Sequence, residues 1–161
     1  MLANPHPTTG QLDLVTGRLF GVALAAPDAR AQLLRDLPAT VPHHEEHRDA
    51  RIGGAVRTFV VDVLPEQHAE LHWSTPAGGP IAAVYLDYPI DGPAIPVAAG
   101  LGLDSTTGLD VAARALGTAS GVGALERSAE GLTFSAGGFR TRLRWSGGRL
   151  VVAVLGRSPA P

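Results

Sequence analysis

The chain contains one stretch twice, and that constrains its fold more than any other feature. LHWSTPAGGPIAAVYL (Leu71–Leu86) resembles LRWSGGRLVVAVL (Leu143–Leu155): Leu-x-Trp-Ser, a Gly-Gly pair, one residue and an apolar run. The two tryptophans of the chain, Trp73 and Trp145, take the same place in each copy. Further upstream, LAAPDARAQLLRDLP (Leu24–Pro38) aligns with LDSTTGLDVAARALG (Leu103–Gly117), matching Arg35 to Arg114 and Leu37 to Leu116. TGRLFGV (Thr16–Val22) has a looser counterpart in DGPAIPV (Asp91–Val97). A repeat of roughly 70–80 residues is longer than a usual solenoid unit and close to a small domain. The division expected is 1–15 as an N-terminal extension or first strand, 16–90 as the first repeat and 91–157 as the second.

Each copy reads as an extended segment, one helix and about three strands. The second helix is expected to follow the N-cap candidates Asp104, Ser105 and Thr106 and to stop at Gly117. Leu109, Ala112, Ala113 and Leu116 form its apolar stripe at helical spacing. The first is expected to open at Pro27 and close before Pro38, with Ala26, Arg30, Leu33, Leu34 and Leu37 on its stripe; Arg30 is the odd member. Strands show alternation. In FRTRLRW, Phe139, Thr141, Leu143 and Trp145 point one way and Arg140, Arg142 and Arg144 the other. In HAELHW, Ala69, Leu71 and Trp73 point inward and His68, Glu70 and His72 outward. Strands also fit 57–63, 81–88, 131–136 and 150–155. Gly78-Gly79 and Gly147-Gly148 fit hairpin turns. The expected fold class is α+β: two tandem helix-plus-antiparallel-strand repeats forming one sheet, with helices on one face and the other face open.

A helix ending in ALG, a polar connection, and strands closing with L-x-W-x-G-G-x-[IL]-x-x-[AV] resemble a bacterial module found in the SmpA/OmlA-type lipoprotein domain and, in tandem, in the β-lactamase inhibitor proteins. The resemblance runs from about Thr16 to Leu155. It implies two modules building one long sheet whose open face grips another protein. Cysteine is absent, which removes the acylation site of the lipoproteins, the disulfides of the inhibitors, thiolate metal sites and cysteine nucleophiles. Architecture and a protein-binding habit therefore carry over, without a target. A cysteine-free relative fits a cytoplasmic immunity protein or inhibitor directed at a toxin or enzyme, an inference by analogy of fold.

Composition narrows the partner. With Lys+Arg 13 and Asp+Glu 15, the formal charge is −2, against a general nucleic-acid or membrane-surface binder. Every basic residue is arginine, in a background rich in Ala, Gly, Leu and Pro, as in GC-rich bacterial coding sequences. No signal peptide is evident in MLANPHPTTGQLDL, and no apolar run approaches the roughly 20 residues of a membrane span.

Two sets of residues invite a chemical reading. PHHEEHRD holds His43-x-x-Glu46-His47, the order of inverted zinc peptidases. On a helix, His43 and His47 would share a face and Glu46 could serve as base, with Glu126 or Glu130 as a further ligand. That small metal-dependent hydrolase is the alternative reading; its segment lacks an apolar stripe and lies in a connector, so no metal and no cofactor are the primary expectation. The second set is the outward face. His68, Glu70 and His72 from one half, and Arg140, Arg142, Arg144 and Arg149 from the other, are the expected partner-binding residues, since arginine and tryptophan dominate interface hot spots. Ala82, Val84 and Leu86, like Val151, Ala153 and Leu155, make the last strand of each copy apolar on both sides, so these strands are covered twice or expose an apolar patch. Such a patch suits another protein or a homodimer, the latter fitting a homo-oligomeric assembly factor.

Overall fold

The structure is a computed structural model and describes residues 10–75 and 78–157. In chain order the elements are β1 (Arg18–Leu19), β2 (Val22–Ala23), α1 (Ala29–Asp36), β3 (His44–Ile52), β4 (Ala55–Leu64), β5 (Ala69–Thr75), β6 (Gly78–Asp87), β7 (Pro96–Ala98), β8 (Leu103–Asp104), α2 (Leu109–Gly117), β9 (Gly123–Arg127), β10 (Gly131–Ala136), β11 (Phe139–Ser146) and β12 (Arg149–Arg157). Eight of the strands form a single antiparallel sheet in the order β3-β4-β5-β6-β12-β11-β10-β9. The molecule is therefore sheet-rich α+β. The short pairs β1/β2 and β7/β8 are separate two-stranded ribbons, each ahead of a helix.

Alternation decides which side of the sheet is covered. Ala69, Leu71 and Trp73 of β5 are buried, as are Phe139, Thr141, Leu143 and Trp145 of β11. They join one apolar core with Ala29 and Leu33 of α1, Ala112 and Leu116 of α2, and Leu19, Val22, Val97 and Leu103 of the two ribbons. Helices and ribbons thus share one side, and no described helix lies over the other. No helix among the described residues is long and apolar enough to cross a membrane.

The two tryptophans are buried on the covered side. Each follows a register irregularity, between His72 and Trp73 and between Arg144 and Trp145. Each indole also finds an acceptor, as buried Nε1–H groups do. Trp73 donates to Asp62 Oδ2 at 2.7 Å and Trp145 to the Thr107 carbonyl at 2.8 Å.

Two glycines fix how the first ribbon meets the sheet. Gly137, at φ +61° in the β10/β11 turn, sits so close to the loop before β1 that a Cβ there would lie 2.6 Å from the Thr16 carbonyl carbon. Gly17, at φ +69°, faces it: its own Cβ would come within 2.8 Å of the Gly137 carbonyl oxygen. Two backbones in contact, both left-handed, leave no room for a side chain.

Several expectations change at the element ends. α1 begins at Ala29 rather than Pro27, and Leu34 of its expected stripe is 39% exposed. Asp104 and Thr106 do not cap α2. Asp104 Oδ1 instead accepts from the Thr106 backbone N–H at 2.8 Å, forming a turn, and Gly108 precedes the helix. Gly78-Gly79 belong to β6; the β5/β6 loop is residues 76–77, outside the described residues, as are residues 1–9 of the expected extension. β3 and β9, the two edges, were not expected as strands.

Candidate functional site

The segment with three histidines is where local conformation matters most. Residues 44–52 are strand, so neighbouring side chains alternate sides instead of turning around a helix. Register places Glu46 opposite Val61 and His47 opposite Val60. His47 thus lies on the covered side and Glu46 on the other. His43 turns to the covered side, its Nε2 2.9 Å from Asp62 Oδ1. The zinc-peptidase arrangement of His43, Glu46 and His47 is corrected: Glu46 lies on the opposite side of the strand from both histidines and cannot serve as base to a metal they would hold. Glu126 is bound to Arg140 on β11, with a separation of 2.6 Å. No three metal-competent side chains converge among the described residues.

The covered side of the N-terminal half holds a polar cluster in place of a ligand site. Asp62 is fully buried. Its carboxylate accepts from Arg30 Nε at 2.8 Å and Nη2 at 3.1 Å, from His43 and from the Trp73 indole. Arg30 reaches on to Glu45 at 2.5 Å, and Glu45 to His47 at 2.8 Å. The odd arginine on the α1 stripe is thus matched to the odd carboxylate within the VVDVL run of β4. Burial pushes the Asp62 carboxyl up, but hydrogen bonds from Arg30 and His43 and the arginine charge outweigh it, holding the group below the usual range. Sequence reasoning missed Asp62; an acid in an apolar strand beside an arginine on an apolar helix stripe was the available signal.

The uncovered side is organised in rows. One residue from each strand stands in register: His44, Val63, Glu70, Tyr85, Val154, Arg142, Thr133 and Glu126. The next row runs Glu46, Val61, His72, Ala83, Gly156, Arg140 and Ser135. In the N-terminal half the charges bind one another. Arg48 lies 2.7 Å from Glu46 and 2.9 Å from Glu70; His44 contacts Glu46 at 2.8 Å and His72 contacts Glu70 at 3.1 Å. Beneath this network Val61 is completely shielded. Hydrogen bonds from Arg48 hold both Glu46 and Glu70 below the ordinary carboxylate range, aided by His44 and His72 respectively.

The C-terminal half differs. Arg140 is paired to Glu126, but Arg142 and Arg144 are exposed with no carboxylate within ion-pair distance among the described residues. Between the halves stands Tyr85, 43% exposed, its ring meeting His72 edge-on at 4.7 Å. Half-buried Ala83, Val152 and Val154 surround it. Strands β6 and β12, apolar on both sides in sequence, therefore bury Val84, Leu86, Ala153 and Leu155 and present the other set outward.

Of the residues expected to bind a partner, Glu70, His72, Arg140, Arg142 and Arg144 share this side. His68 precedes β5 in a left-handed conformation at φ 55°, capping a short 3₁₀ turn (Pro65–Gln67), and does not continue the stripe. Arg149 donates to the Ile90 carbonyl at 2.6 Å, anchoring the connection after β6. On this side Arg142, Arg144, Val152, Val154 and Glu130 line an open depression of about 500 Å³, and an enclosed cavity of about 10 Å³ lies beneath α2.

Depressed carboxyl pKa values make the fold acid-sensitive. A group held below its unfolded value stabilises fully above that value, about 3.9 for Asp and 4.3 for Glu, and loses its contribution as pH falls through the lower folded value. Denaturant midpoints are expected to hold from pH 7 to about 5 and to fall through pH 4 and 3. Asp62 should dominate, because Glu45 and Glu46 are solvent-screened. Asp62→Asn should flatten that fall; an equally steep acid limb in the variant would assign it elsewhere.

Comparison of the chain with protein-family models, with curated proteins and with solved structures returns no match.

Proposed function

We propose that this chain is a non-enzymatic protein-binding module, an inhibitor or immunity protein that blocks the working surface of a bacterial toxin or enzyme by laying its uncovered sheet face over it. One observation carries the reading: Arg142 and Arg144 stand exposed beside Val152, Val154 and Tyr85, with no carboxylate within ion-pair distance among the described residues. Arginine and tyrosine around an apolar centre are the residues from which interface hot spots are built. Charge supplies orientation: one end of the face is closed by its own ion pairs and the other is left basic, so an asymmetric partner docks one way. The absence of cysteine suits a reducing compartment such as the cytoplasm.

The chain is also, in this reading, two copies of one unit. Ribbon, helix and four strands follow one another twice, and the sheet order β3-β4-β5-β6 is mirrored by β12-β11-β10-β9. Trp73 and Trp145 follow the same irregularity in the third main-sheet strand of each half. Duplication accounts for the breadth of the face: two flat units joined side by side extend a surface.

Retention from a lysate of the native host tests the function. A partner held by the immobilised wild-type chain should bind Arg142→Glu at least about tenfold more weakly, a loss of about 1.4 kcal/mol, with unchanged thermal unfolding. A partner held equally by both proteins removes this face from the function.

A further inference from the structure

We infer that the uncovered face recognises a second copy of this chain, in a two-fold dimer whose axis runs parallel to the strands between β6 and β12. This rests on the reading of that face as a protein-binding surface and names its occupant. The argument begins with charge. On this side the strands of the N-terminal half carry Glu46, Glu70 and Asp87 against Arg48 and Arg57, and those of the C-terminal half carry Arg140, Arg142 and Arg144 against Glu126. The face is therefore acidic at one end and basic at the other, and such a surface is complementary to itself when turned over.

Symmetry then selects one arrangement. Two sheets packed face to face are related by an axis lying between them, either across the strands or along them. An axis across the strands sets β5 on β5 and β11 on β11, placing like charges together. An axis along the strands exchanges left for right and keeps each row on itself. It sets Glu70 over Arg142 of the second copy, His44 over Glu126 of the second copy, and Tyr85 over Val154 of the second copy, all from one row. Aligned sheets pack about 10 Å apart, a gap that glutamate and arginine side chains span together. The apolar residues fall at the axis and the charges outside them, the core-and-rim order of stable interfaces.

Area supports the same conclusion. Eight strands about 4.8 Å apart, overlapping over about five residues of about 3.4 Å each, present about 650 Å² per copy as a flat sheet, close to the roughly 800 Å² per partner of a standard interface. A dimer so built buries the surface that a heterologous target needs, so the two occupants compete for one face.

Sedimentation equilibrium of the purified full chain tests this, with Arg142→Glu, Glu70→Arg and their equimolar mixture. The wild type should show a reversible monomer–dimer equilibrium that weakens as salt rises. Each variant alone places like charges opposite one another and should dimerise at least tenfold more weakly. In the mixture both contacts regain opposite charges, and the heterodimer should recover most of the wild-type affinity. Tyr85→Lys, at the axis and exposed, gives an independent loss should Glu70→Arg disturb the Arg48 network. A wild type that stays monomeric at its highest soluble concentration overturns the second copy as occupant and leaves the heterologous target to the lysate experiment. A dimer indifferent to Arg142→Glu and to Tyr85→Lys overturns the placement.

Discussion

Replacing Asp62 with alanine is expected to lower the unfolding free energy by about 3–5 kcal/mol, the largest effect of any single polar substitution in the chain. Three donors lose their acceptor at once: the Arg30 guanidinium, the His43 imidazole and the Trp73 indole. Arg30 is mostly withdrawn from solvent, its side chain 16% exposed, so its charge would be left in the protein with only the exposed Glu45 to balance it. Removing both partners should cost less. Leu132, opposite Leu143, stands where Asp62 stands opposite Leu71, each pair two residues before a tryptophan. The C-terminal half thus fills the same position with leucine. Arg30→Leu combined with Asp62→Leu should therefore recover at least half of the single-site loss, leaving the unpaired Trp73 N–H at about 1–3 kcal/mol. Urea unfolding of the wild type, the single and the double variant checks this. A double variant less stable than Asp62→Ala would show that the ion pair is a net source of stability.

Gly137→Ala should be nearly as damaging, at about 2–5 kcal/mol, combining left-handed backbone strain with overpacking. The new methyl would meet the backbone of Thr16 and Gly17, which cannot rotate away as a side chain can. Gly147→Ala is the control. Its φ of +60° is nearly the same, yet nothing lies within 4 Å of the added atom, so only the conformational part, about 1–2 kcal/mol, should appear. Equal losses at the two sites would show that the approach of the first ribbon to the β10/β11 turn is not tight.

What could be read in the residues depended on whether an element has an inside. β5 and β11 pack one side against the core, so FRTRLRW and HAELHW alternate and their inward sets emerged correctly. α2 has Leu109, Ala112, Ala113 and Leu116 at helical spacing, with Ala112 and Leu116 buried. β3 and β9 are the sheet edges. HEEHRDARI is polar on both sides and GALER is largely exposed, so neither carries a period. Polar edges discourage further strand pairing, and the feature that protects them also hides them. His47 on β3 and His43 just ahead of it imitated a helical metal motif because spacing four apart reads as one face of a helix and equally as one face of a strand. Only the position of Glu46 separates the two. His68 failed for a different reason: alternation extrapolates only while the strand lasts, and a left-handed residue ends it.

The position of β12 has a consequence for biosynthesis. It is the last described strand to leave the ribosome, yet it occupies the middle of the sheet and forms the ladder joining β6 to β11. While residues 149–157 remain in the exit tunnel, the N-terminal strands end at an open β6 edge, with apolar Val84 and Leu86 awaiting their neighbour. A nascent chain stalled within that stretch would expose a sticky border that the finished protein never shows, and it is there that a chaperone would be needed.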